Sequence, residues 1–146
     1  MTIKVSTGLA NKLLDTGSLK ATFAAGFLKI YSGSPPADAD AAVTGTLLST
    51  ISIGSGGTGV NFDTAAAAGV LAKAPAETWS GVNAATGTAG YFRHVAAGDT
   101  GASSTTQARI QGTVGTVGAD LNLTSVSLVS GATQTIDYYT VALPLA

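Results

Sequence analysis

Short alternating segments, cut off by glycine-rich turns roughly every 8–12 residues, limit what this chain can fold into more than any other feature. In TQARIQGTVGT (residues 106–116), Ala108 and Ile110 share one face and Arg109 and Gln111 the other. GTAGYFRHVAAG (residues 87–98) sets Tyr91, Arg93 and Val95 against Phe92 and His94. FLKIYSG (residues 27–33) sets Phe27, Lys29 and Tyr31 against Leu28 and Ile30. A period of two belongs to extended strands, whose side chains point alternately to opposite faces. Further strands are expected over residues 46–53, 70–74 and 77–80. In ADLNLTSVSLVSG (residues 119–131) the apolar parity slips at Thr124 and Ser125, which predicts a bulge inside one strand. TQTIDYYTVALP (residues 133–144) reads as the closing strand. The expected fold class is all-β: an antiparallel β-sandwich, Ig-like or jelly-roll, over residues 27–146, with a short helical N-terminal segment over residues 1–26.

That first segment carries the clearest helical signal. Ser6 or Thr7 can cap a helix with Leu9, Leu13 and Leu14 on one side, ended by Gly17. Ser18 can cap a second turn carrying Leu19 and Phe23, ended by Gly26. As an appendage, this segment should be removable with the sandwich still folding. Between two predicted strands lies SPPADADAAVTG (residues 34–45). Pro35 and Pro36 have no amide to donate, and Asp38 and Asp40 favour turns. It is expected as a stiff, exposed connection that reaches a neighbouring subunit or simply joins two strands.

The length suits one domain. More than half of the residues are Ala, Gly, Ser or Thr, and seven basic and eight acidic side chains are scattered among 146 positions. Nucleic-acid binding by counter-ion release needs clustered cations, which are missing. No cysteine is present, so thiol chemistry and thiolate metal sites are excluded. The N-terminus lacks the apolar run of a signal peptide, and no stretch approaches the ~20 apolar residues of a membrane helix. A chain made in a cytoplasm, with no membrane partner, is expected. Its weakly charged surface desolvates at little cost, which suits burial against other subunits.

Chemistry is sparse. His94 is the only histidine, and no acid lies near it in sequence to build a triad. Metal sites made from His and Cys clusters are excluded by count. Asp38 and Asp40 suit turns better than calcium. GSGGTG (residues 54–59) lacks the Lys-Ser/Thr that completes a phosphate loop. No enzyme activity, catalytic residue, metal or cofactor is expected. Trp79, Tyr91, Tyr138 and Tyr139 would form the platform of a carbohydrate-binding module, although aromatics in strands more often fill cores.

STGLANKLLDTGSLKATFAAGFLKIYSG, PADADAAVTGTLL, GTAGYFR and QGTVGTVGADLNLTSVSLVSGATQTIDYYTVALP together resemble a group of small proteins encoded among the virion genes of tailed phages and prophages. The resemblance runs from about Ser6 to Pro144. It implies a virion structural component with a β-sandwich body, and it brings no active-site residues. Small size and weak charge point, within that group, to a capsid decoration or cement protein. Such a protein would bind the major capsid protein or other virion proteins, as a homo-oligomer for which a trimer is one form. It would be made in the host cytoplasm and end in the virion. The interface candidates are Leu9, Leu13, Leu14, Leu19 and Phe23, with Pro35 and Pro36 in the loop. The alternatives are a tail, collar or baseplate component, and a carbohydrate- or receptor-binding module.

Overall fold

The computed structural model describes residues 3–145. In chain order its elements are β1 (Lys4–Val5), α1 (Thr7–Asp15), α2 (Leu19–Thr22), β2 (Phe27–Ser32), β3 (Leu47–Ile53), β4 (Val70–Ala72), β5 (Trp79–Val82), β6 (Gly87–Val95), β7 (Arg109–Gly115), β8 (Leu121–Asn122), β9 (Ser127–Leu128), β10 (Thr133–Ile136) and β11 (Thr140–Ala142). A nine-stranded sheet runs β1-β7-β6-β2-β3-β5-β10, with β8 beside β7 and β9 beside β6. Strands β4 and β11 form a separate pair. Every pairing is antiparallel except β7 with β8. The fold is all-β and sandwich-like.

The alternation read from the sequence decides what each face meets. Leu28, Ile30, Phe92, His94 and Ile110 lie on one face of β2, β6 and β7, as the strand register requires. All five are buried, and they join Leu48, Ile51, Phe62 and Trp79 in one core. The opposite face is buried as well, but apart from Val95 its buried side chains are polar or aromatic: Tyr31, Tyr91, Arg93, Arg109 and Gln111.

The proline-containing connection covers that second face, which corrects the expectation of an exposed strap. Gln111 donates to the Pro36 carbonyl at 2.9 Å, and Arg109 to the Ala39 carbonyl at 3.1 Å. The Tyr91 hydroxyl donates to the Thr44 carbonyl at 2.5 Å and accepts from the Thr44 amide at 3.0 Å. Ala39 is fully buried. Proline suits this role: it withdraws an amide that would otherwise need a partner, leaving carbonyls to meet the arginine and glutamine donors beneath. Asp38 does make the expected turn, accepting from the Ala41 amide at 2.8 Å.

Residues before Phe27 belong to the same body, not to an appendage. Strand β1 pairs with β7, and Leu9 and Phe23 are fully buried. Ser6 caps α1 as expected, accepting from the Leu9 amide. Its hydroxyl also accepts from the Arg109 amide at 2.9 Å and donates to the Gln107 carbonyl at 2.6 Å, stitching the helix start to β7. Gly8 permits this approach, because a Cβ there would lie 2.4 Å from the Thr106 backbone. A truncation through Gly26 therefore removes an edge strand and two core side chains. Helix α1 ends at Thr16, and the turn after α2 uses Ala25, at φ 55°, as its left-handed residue instead of Gly26.

Two further expectations change. The parity slip at Thr124 and Ser125 is not a bulge: the chain leaves β7 after β8 and crosses to pair with β6 as β9. The closing stretch is likewise two strands, β10 on β5 and β11 on β4, separated at Asp137–Tyr139.

Candidate functional site

One concavity is an apolar groove of about 660 Å³. Its floor includes Leu9, Phe92, Ile110 and Tyr139, the outer margin of the core, while β1 and α1 contribute to one wall and β11 to another. A second groove of about 330 Å³ shares Leu19, Val141 and Leu143 with the first, so the two form a continuous apolar belt. Large apolar side chains of its lining are exposed: Tyr138 is 89% exposed and Leu143 71%, and Ile3, Val5 and Leu13 are about half exposed, while Leu14 and Leu145 are exposed without lining either groove. Asp120 is the only carboxylate lining the larger groove, and it accepts from the Thr113 amide at 2.9 Å and hydroxyl at 3.0 Å. The β11 wall is held by its pairing with β4 and by the Leu143 amide donating to the Gly69 carbonyl at 2.9 Å.

The sequence candidates divide. Leu13 and Leu19 line the belt, and Leu14 projects from the same helix. Leu9 presents only its margin at the groove floor and Phe23 is wholly in the core, so neither offers a free side chain to a partner. Pro35 and Pro36 lie half-buried over the polar sheet face and do not line either groove. Sequence reasoning missed Ile3, Val5, Val141 and Leu143. Ile3 and Val5 lie in the segment expected to be helical and Val141 and Leu143 in the expected closing strand, and only pairing brings the two chain ends to one groove.

The aromatic platform is not on the surface. Trp79 is fully buried with its indole N–H donating to Glu77 at 2.9 Å, Tyr91 stacks on Tyr31 at 5.0 Å, and Tyr139 is buried; only Tyr138 faces solvent. His94 sits among Phe23, Phe62 and Tyr139, with Nδ1 3.1 Å from the Tyr139 hydroxyl and Nε2 without a partner. Burial without an acid partner pulls its pKa down to about 3, so the ring is neutral and has no carboxylate to orient it as a base. Burial also pushes the Tyr139 phenol up.

The polar layer under residues 34–45 is structural in its geometry. Arg109 pairs with Asp99 through two bonds of 2.5 and 3.0 Å and also reaches the Ala102 carbonyl. Arg93 donates from Nε to Gln111 at 2.8 Å, but one terminal nitrogen has no partner. Desolvation, and then the nearby Arg109 charge, lower its pKa. Burial, and then Tyr91, raise Tyr31 to about 12. Among the described residues, no three His, Cys, Asp or Glu side chains group to hold a metal ion, and no helix is long and apolar enough to cross a membrane.

Compared with known proteins, the chain matches no family model, no curated protein and no solved structure.

Proposed function

We propose that this chain is a structural subunit of a phage virion, coating the head as a decoration or cement protein. The observation that carries the reading is the uncovered apolar belt on a protein with only fifteen charged side chains. An exposed apolar surface of this kind, rimmed by small polar residues, marks a protein contact site. The virion setting comes from the sequence resemblance. Docking would draw on many small apolar contacts around Leu13, Leu14, Leu19 and Leu143, whose desolvation releases water at little electrostatic cost. The major capsid protein is the partner, and the particle is the location. Catalysis plays no part in this role.

Co-sedimentation with purified heads lacking the chain tests it. The wild-type protein should pellet with heads until their sites saturate, and Leu14→Asp combined with Leu143→Asp should lose most of that binding. Failure of the wild-type protein to bind heads would overturn the decoration reading. Strands β1 and β11 each have one unpaired edge among the described residues, which also suits a ring-forming tail, collar or baseplate subunit.

A further inference from the structure

We propose that Lys29 and Arg93 hold a small inorganic anion, of chloride size, on the polar face of the sheet beside residues 34–45. The seven basic residues are scattered in sequence, but strand register gathers four of them. Lys29 lies opposite Arg93, Arg93 opposite Gln111, and Gln111 opposite Lys4, so one row crosses β2, β6, β7 and β1 on a single face. Arg109, two residues before Gln111 on β7, shares that face. Like charges placed directly opposite one another, as Lys29 and Arg93 are, destabilise a sheet.

No acid answers this pair. Asp99 is held by Arg109 in the one ion pair among the described residues. The Asp40 carboxylate accepts from the Thr7 amide and hydroxyl, and Asp38 accepts from the Ala41 amide. Lys4 donates to the Ala37 carbonyl. Arg93 is wholly buried, donating to Gln111 at 2.8 Å and to the Asp38 carbonyl at 3.4 Å, while its buried Nη1 has no partner among the described residues. A buried carboxylate or amine escapes such a position by changing protonation, but a guanidinium does not. An anion removes both faults: it accepts from Nη1 and offsets the charges of Arg93 and Lys29. A water molecule would satisfy the bond and leave the charge. Burial sets the size of the ion. Arg93 and Arg109 are shut off from solvent, so neither a nucleic-acid backbone nor an acidic side chain of a partner reaches Nη1, while half-buried Lys29 marks the way in for a small one.

Urea unfolding of the full chain tests this, with sodium chloride replacing sodium gluconate at constant ionic strength so that screening stays fixed. A ligand that binds only the native state raises stability with its concentration. The wild-type midpoint should therefore rise as chloride replaces the bulkier gluconate. Arg93→Met should show no chloride-dependent shift and, in gluconate alone, unfold close to the wild-type midpoint. Lys29→Met should show a smaller shift than the wild type. Lys12→Met, which removes an exposed cation on α1, should keep the full shift. Crystals grown in bromide give a second reading that needs no variant, an anomalous peak beside Nη1 of Arg93. A wild-type midpoint indifferent to chloride, an equal shift in Arg93→Met, or no bromide peak at Arg93 would each overturn the proposal.

Discussion

The Nε of Arg109 lies 2.5 Å from Oδ2 of Asp99, with both side chains shut off from solvent. This ion pair sits between β7 and the loop that follows β6, beneath the proline-containing connection. Removing one partner leaves the other charge buried and uncompensated, at a cost of about 3–5 kcal/mol. Asp99→Ala should therefore lose that much stability in urea unfolding. A loss below ~1 kcal/mol would mean that water reaches the pair.

Arg93 sets the contrast. It has no acid partner and one unsatisfied nitrogen. Replacing such a charge with an apolar side chain of similar volume removes both its desolvation cost and its repulsion from Arg109. Arg93→Met should change stability by about 1 kcal/mol or less, well below the effect of Asp99→Ala. An equal loss from both would show that Arg93 is satisfied in solution.

His94 makes stability depend on pH. Its folded pKa of about 3 lies below the ordinary value of roughly 6.5, so in that window the unfolded chain binds a proton that the native state refuses. Stability is complete above the unfolded value and falls as pH drops toward 3, by up to ~1.4 kcal/mol per pH unit. Between about pH 6 and 5 the carboxylates remain ionised and the single histidine dominates the slope. Unfolding free energies over that interval should fall for the wild-type protein and stay nearly flat for His94→Phe. Parallel slopes would show that the ring is protonated in the fold.

Helix α1 has one buried and one bare leucine. Leu9→Ala should cost about 2–5 kcal/mol through the cavity it leaves, whereas Leu14→Ala should change monomer stability by less than ~0.5 kcal/mol. Thermal unfolding of the two variants separates core from surface. Comparable losses would contradict the burial.

Backbone approach gives a further pair. A Cβ at Gly90 would sit 1.9 Å from the Gly33 carbonyl oxygen, so Gly90→Ala must push β6 off the end of β2 and should cost about 3 kcal/mol. Ala25, held at φ 55°, should instead gain up to ~1 kcal/mol as Ala25→Gly. Denaturant midpoints moving in opposite directions would support both.

Strand parity was legible because the solvent-to-core contrast imposes a period of two: Leu28 and Ile30, or Phe92 and His94, share a face in the text and in the fold. Caps were legible for the same local reason, Ser6 and Ser18 each accepting from an amide three residues on. What the text concealed was long-range. Nothing near Pro36 or Ala39 announces that their carbonyls answer Gln111 and Arg109, some seventy positions away. Nothing near Thr124 says whether a parity slip is a bulge or a change of partner strand. The belt was half legible: Leu13 and Leu19 stand out on a helical pattern, but Ile3 and Leu143 join them in one groove only once β1 and β11 have paired.

The copy number and location of this chain in purified particles, by quantitative gel and cryo-imaging, test the structural-subunit reading most directly. Many copies on the head surface, with residues of the apolar belt turned toward other subunits, are the predicted result. Absence from particles would contradict it.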